Sequence, residues 1–331
     1  MTSQTQSLPS AFIWRRLHSL MGLWLVLFLI EHLLVNSQAA LLLGDNAQGF
    51  VSGVNAIHNL PYLSVIEFFL LGVPIAIHGI WGVKYLLTSK FNSHRTNGTA
   101  PSLEKYGRNH AFTWQRLTSW ILLIGIILHV AKFRFIDYPD SVNQGENSYY
   151  FIPVTVDKGL YTVAARLGVT LYSPDQITLE RKEFEDRQDE QALVVASQTF
   201  PDSRVYDHQQ QVILTSAQSY QQKLQWLEVL EKQKVERGEV VAVAKDFGTA
   251  SVLAVRDTFK SPLYVGLYTI FVLAACFHGF NGLWTFCITW GVVLRVAAQK
   301  KVLGFSWALM IIVTFLGLAA IWGTYWLNLK A

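Results

Sequence analysis

The 331-residue chain is 51% hydrophobic and only 15% charged, with a formal net charge of +4. That is little charge for a soluble protein of this size, and too small an imbalance to indicate a nucleic-acid partner. The two cysteines, Cys276 and Cys287, share one apolar run, which excludes a disulfide framework, and no Cys/His motif for zinc or for a covalently attached group occurs.

Five runs are apolar enough to cross a bilayer core, which takes about 20 residues. They lie at approximately 17–43, 62–89, 113–136, 262–295 and 304–328. The first exceeds the roughly 7–15 residues of a signal-peptide core and carries Glu31-His32 inside it, so it reads as a span rather than a leader. Between the third and fourth runs the composition changes. The stretch 141–261 holds 17 of the 23 acids and 13 of the 27 bases, which leaves six acids elsewhere: Glu31, Asp45, Glu67, Glu104, Asp137 and Asp140. The chain therefore divides into membrane residues 1–138, an extramembrane insert 139–259, and membrane residues 260–331. The insert mixes short β-like runs (Tyr161–Ala165, Ala192–Ala196, Val240–Ala244) with a helical stretch, Ser216–Arg237, which predicts a small α+β domain. Its one histidine, His208, reads as a solvated surface residue. The expected fold is an all-α bundle of five transmembrane helices carrying that insert.

Basic residues set the expected orientation. Arg15 and Arg16 precede the first span; Lys84, Lys90, Arg95, Lys105, Arg108 and Arg116 flank the second and third; Arg295, Lys300 and Lys301 join the fourth and fifth. The positive-inside rule places these in the cytoplasm, with the insert outside; Lys132, Arg134 and Lys260 are the minority on the other side.

Four spans each carry one deep histidine. Counting 1.5 Å per residue from each entry point, His32 and His129 lie about 20–24 Å from the inner edge, and His78 and His278 about 24–26 Å from the outer edge. In a core about 30 Å thick this makes two pairs at two depths, separated by roughly 15–20 Å. Two stacked bis-histidine haems need that arrangement: His32 with His129 for an outer haem iron, His78 with His278 for an inner one. A single membrane histidine is as readily a polar residue in a helix contact; four matched in depth by helix direction are not. His18 shares the bundle face of His32 near the inner edge, from which it, Arg16, Ser19 and Arg116 are candidates to hold the propionates of the inner haem. His110 reads as an interfacial residue. Glu67 precedes His78 by 11 residues, within about 20° of the same helix face and roughly 16 Å nearer the outside, and is the candidate for proton exchange with a quinone. Asn36, one turn beyond His32, is a second candidate to touch the quinone.

The blocks FIWRRLHSLMGLWLVLFLIEHLLVN (12–36), IEFFLLGVPIAIHGIWGV (66–83), WQRLTSW with LHVAKFRF (114–135) and FHGFNGLWTFCITWG (277–291) resemble the cytochrome b membrane anchor of type B succinate:quinone oxidoreductases. These are the dihaem, five-helix anchors of succinate dehydrogenases and fumarate reductases. The resemblance implies two haems b, with the pair matching His78 and His278 nearer an iron–sulfur subunit, and a quinone, menaquinone by family habit, at the glutamate matching Glu67. It also implies flavoprotein and iron–sulfur partner subunits, a lipid environment and a bacterial inner membrane. The insert at 139–259 departs from the family pattern. Two rival readings, a cytochrome b of another respiratory complex and a transporter or sensor, are disfavoured by the placement of the basic loops and by the lack of repeated halves or broken helices at mid-membrane.

Overall fold

The computed structural model describes residues 8–40, 47–89, 93, 103–196 and 203–330, with side chains left aside at 188–217 and 329–330. It divides into two compact units, Met1–Lys132 with Ser261–Leu327, and Phe133–Lys260 with Asn328–Ala331. Asp45, Lys90 and Arg95 lie outside the described residues, and the side chain of His208 is likewise not described.

The first unit is helical. Five helices are long and apolar enough to cross a membrane: Ser10–Ala40, Leu63–Thr88, Gly107–Ile136, Pro262–Thr289 and Val296–Asn328. All but the fourth depart a little from a regular α-helix. The first is α1 (Ser10–Ser37) with one 3-10 turn, followed by the amphipathic α2 (Gln48–His58). The second is α3 (Leu63–Glu67), a π-turn at Phe68–Gly72, and α4 (Val73–Thr88). The third is α5 (Gly107–Val130), running into a second π-segment, Ala131–Ile136. Pro262 opens the fourth membrane helix at a position where the missing N–H does no harm. The outward faces stay apolar, with Leu27, Ile80, Ile124, Ile270 and Phe315 all exposed, as lipid-facing positions require.

The second unit is an α+β layer structure. Strands β1 (Asp140–Gln144), β2 (Asn147–Thr155), β3 (Thr170–Tyr172) and β4 (Glu239–Ala244) form one sheet in the order β1-β2-β4-β3, antiparallel throughout. Because side chains alternate across a sheet, β4 serves two cores. Val240, Ala242 and Ala244 pack with Ile152 against α6 (Leu160–Leu167) and α9 (Phe247–Thr258). Val241 and Val243 pack with Phe151 against Ile177, Trp226 and Leu230 of α7 (Pro174–Ala196) and α8 (Ser203–Lys232).

Two of the expected β-runs are helical instead. Tyr161–Ala165 lies in α6, where Leu160 and Ala164 are one turn apart and both buried, and Gly168 ends the helix at φ +66°. Ala192–Ala196 is the end of α7, whose start carries the decisive signal. Ser173 Oγ accepts from Gln176 N while Gln176 Oε1 accepts from Ser173 N, a capping box followed by proline at the first helical position. Short apolar runs do not distinguish strand from helix by themselves.

Lys260, one of the bases on the unexpected side, is neutralised locally. It meets Asp157 at 2.6 Å and Asp257 at 2.8 Å, while Arg256 holds Asp157 through both terminal nitrogens at 2.8 Å. Burial opposes the Asp157 charge, but the hydrogen bonds from Arg256 and Lys260 outweigh it and hold the carboxyl well below the usual carboxylate range.

Candidate haem-binding site

The four deep histidines meet in two pairs, each from two helices. His32 of α1 and His129 of α5 have ring centres 5.8 Å apart, and His78 of α4 faces His278 of α10 (Pro262–Thr289) at 6.1 Å. Two imidazoles bound to opposite sides of one iron, at about 2 Å per bond and about 1.1 Å from nitrogen to ring centre, stand about 6 Å apart. An ordinary edge-to-face contact has similar spacing, so the ring nitrogens matter more.

In the second pair both Nδ1 atoms have backbone acceptors. His78 Nδ1–H donates to the His18 carbonyl at 3.0 Å, and His278 Nδ1 lies 3.3 Å from the Gln115 carbonyl. In the first pair His129 Nδ1 is 3.2 Å from Tyr268 Oη, and Asn36 Nδ2 donates to the His32 carbonyl at 2.8 Å while lying 3.4 Å from its Nδ1. A proton held on Nδ1, as the facing carbonyls hold it at His78 and His278, leaves the Nε2 lone pair for a metal, the usual second contact of a ligating histidine; the Asn36 amide nitrogen is itself a donor and gives His32 Nδ1 no such acceptor. Among the described residues no three His, Cys, Asp or Glu side chains gather as a metal-ion site. The four deep histidines pair across two helices each, with His18 as a third ring against the second pair.

The depth of the pairs can be read on two helices independently. On α1, a Cβ at Gly22 would lie 2.8 Å from His78 Cε1, so Gly22 marks the level of the second pair, ten residues before His32. On α5, Ser119 Oγ is 3.4 Å from His278 Nδ1, ten residues before His129. Both give a separation of about 15 Å along the helix axis.

His18 stacks flat on His78, ring centres 4.0 Å apart and planes 10° apart. Its own Nδ1 is buried with no hydrogen-bond partner among the described residues, which fits a site awaiting an acceptor such as a propionate. Ser19 is half-buried beside it. Arg16 Nη2 donates to the Thr289 carbonyl at 3.0 Å, and the nearly buried Arg116 Nη2 donates to the Ser89 carbonyl at 2.8 Å. Both cations thus sit at helix C-terminal ends, where the helix dipole favours them. His110 meets the Glu104 carbonyl at 2.7 Å near the start of α5.

Glu67 is half-buried at the end of α3, on the side that also carries Leu63, Leu71 and Pro74. The π-turn after it acts as one inserted residue and rotates Glu67 by about 100° relative to α4. Glu67 is therefore about 80° from the face of His78, rather than the 20° counted on a regular helix. Glu31 is exposed on the stripe of Leu27 and Leu34, away from His32.

Residues that the sequence reading passed over complete the surroundings. Gln115 grips α10 three ways: its carbonyl at His278 Nδ1, its Nε2 donating to the His278 carbonyl at 3.0 Å, and its Oε1 accepting from Asn281 at 2.7 Å. Gln115 and Asn281 stand inside the WQRL and HGFNGLW blocks, so the signal was present without a role attached. Tyr268 and Gly22 carry no sequence signal separable from ordinary helix packing.

The chain is 36% identical over 124 residues to the succinate dehydrogenase cytochrome b558 subunit of Bacillus subtilis (strain 168). That match covers 37% of this chain and spans about half, 55%, of the relative. The relative is of the kind the four sequence blocks resemble. No family model matches the chain, and no solved structure matches it significantly.

Proposed function

We propose that this chain is the dihaem cytochrome b anchor of a succinate dehydrogenase. In this role it conducts electrons from an iron–sulfur subunit, which itself serves a flavoprotein, to a membrane quinone. The observation that carries the proposal is the pairing itself: two histidine pairs on four helices, each with ring centres about 6 Å apart and with the pairs about 15 Å apart in depth. Similarity to a cytochrome b558 subunit supports the same reading.

Haem iron held by two histidines supplies one-electron transfer with no open position for a small ligand. The chain's own residues do the rest. His78 and His278 hold the inner haem, with Nδ1 protons fixed by the His18 and Gln115 carbonyls. His18, Arg16, Ser19 and Arg116 line the region of its propionates. His32 and His129 would hold the outer haem, with Tyr268 Oη against His129 Nδ1 and Asn36 on the His32 carbonyl. Glu67 exchanges protons with the quinone through its carboxyl oxygens, and Asn36 borders the same outer region. Quinone reduction takes two protons with two electrons, so a half-buried carboxyl at this level is suited to pass protons in from the outer water.

The basic ends Arg16, Lys84, Arg108, Lys300 and Lys301 face the cytoplasm and the partner subunits, and the N-terminus lies on that side. The insert lies outside a bacterial inner membrane. Two haems held at these levels would supply one-electron transfer between the inner and outer sides, and charge moved between them would couple to the membrane potential, at up to about 2.3 kcal/mol per charge per 100 mV for a full crossing. Such coupling suits a low-potential quinone such as menaquinone.

A haem count on the purified chain tests this. Two low-spin b haems per polypeptide are expected, and a ratio near one, or a high-spin spectrum, would overturn the four-ligand assignment.

A further inference from the structure

The second membrane helix runs on without a gap but leaves α geometry at one place, where a donor from another helix serves the affected carbonyl. Phe68–Gly72 is a π-turn closed by the Val73 N–H on the Phe68 carbonyl, and buried Pro74 follows in the first turn of α4. Proline has no N–H, and its ring displaces the carbonyl four residues earlier. That carbonyl belongs to Leu70. In hydrocarbon an unpaired carbonyl is costly, because no water can take the place of the missing donor. Trp24 of α1 provides the donor: its Nε1–H points at the Leu70 oxygen at 2.6 Å.

We propose that the Trp24 indole locks this π-turn and so sets the direction of the Glu67 carboxyl, making Trp24 a positioning residue for Glu67. The relevance to turnover rests on the reading of Glu67 as the proton-exchanging group; the lock does not. Glu67 is the last residue of α3 before the turn. A π-turn carries one residue more than an α-turn, so its formation or loss rotates everything before it by about 100° relative to α4. Pro74 removes the helical partner of Leu70, and Trp24 rewards the conformation in which Leu70 O leans outward. The ordinary role for a half-exposed tryptophan in a membrane helix is packing and interfacial anchoring. That role predicts no dependence on whether residue 74 has an N–H.

The dependence is the test. Nitroxide labels are placed at Glu67→Cys and at Ile311→Cys, an exposed position on α11 (Val296–Leu318), with Cys276→Ala and Cys287→Ala, in the full-length chain in lipid nanodiscs. Pro74→Ala restores the N–H for Leu70 and is expected to shift the 67–311 distance by several ångströms, roughly what a 100° rotation does to a side chain. Trp24→Phe, which keeps a ring but removes the donor, is expected to broaden and shift the distribution with Pro74 present and to change nothing further in Pro74→Ala. An unchanged distribution in Trp24→Phe, or the same shift with and without Pro74, would overturn the lock. In the assembled complex, Trp24→Phe is expected to lower kcat for quinone about tenfold with haem content unchanged. Normal turnover in Glu67→Gln would instead refute the reading of Glu67, and the label distances would still decide the lock.

Discussion

Substituting Gly22 by alanine should disturb one haem and leave the other untouched. The His78 ring lies against the α1 backbone between His18 and Gly22. A Cβ at position 22 would stand 2.8 Å from His78 Cε1 and 3.1 Å from its Nδ1. Ordinary carbon contacts begin near about 3.5 Å, so ring or helix must yield by roughly half an ångström or more. The ring cannot retreat freely. Its Nδ1–H is bonded to the His18 carbonyl and its face is stacked on the His18 imidazole, so moving away strains both contacts. Overpacking of this kind costs about 1–3 kcal/mol, which corresponds to roughly 5- to 140-fold weaker haem binding at about 1.4 kcal/mol per decade. Helix propensity works the other way, since alanine is favoured over glycine by about 1 kcal/mol in a helix, so the fold should not weaken. Haem titration of the purified chain, followed by resolution of the two α-bands, reads the result. A loss confined to the component shared by His78 and His278 supports the geometry. Equal loss of both components, or none, would refute it.

Three further outcomes follow from the same geometry. Glu67→Gln should keep both haems and their reduction through the partner subunits, while quinone turnover per haem falls about 10²–10⁴-fold, the usual worth of a positioned proton donor; unchanged turnover would contradict it. Asp157→Asn should destabilise the insert by about 1–3 kcal/mol at neutral pH by leaving Arg256 without its carboxylate and Lys260 with Asp257 alone. Because the folded Asp157 sits below its unfolded value, its contribution is complete above about pH 4 and fades as the pH falls further. Urea melts at pH 7 and pH 3 should therefore show a smaller difference between wild type and variant at pH 3. Replacing 141–258 by a short flexible linker should leave both haems bound, and loss of haem from a normally inserted product would count against that.

The spans and the histidines were legible because bilayer thickness and helix rise turn sequence distance into depth. An ionisable side chain inside an apolar run is conspicuous whatever it contacts, and His32, His78, His129 and His278 stand where the count expects them to meet. The face of Glu67 was not legible in the same way. The count assumed 100° per residue from Glu67 to His78, and Pro74 breaks that assumption by inserting a π-turn between them. Pro74 is visible in the sequence, but the direction of the turn depends on Trp24, 46 residues away from Leu70, which no local pattern reveals. The same limit applies in the insert. Val240–Ala244 was read correctly as a strand, since it is β-branched and buried on both faces. Tyr161–Ala165 was misread because a five-residue, mostly apolar run fits either period, and the helix is decided by Ala164 packing into the core and by Gly168 ending the turn. Gln115 shows the remaining gap: a polar residue in a span is noticeable, but only the packed structure shows that it grips His278.

The most direct test is the pairing of the ligands. Each of the four histidines is replaced by alanine in turn, and the two b-haem components are resolved in reduced-minus-oxidised spectra of the assembled complex. His78→Ala and His278→Ala should abolish one and the same component, and His32→Ala and His129→Ala the other. If His32→Ala and His78→Ala instead removed a common component, the two-level arrangement would be wrong.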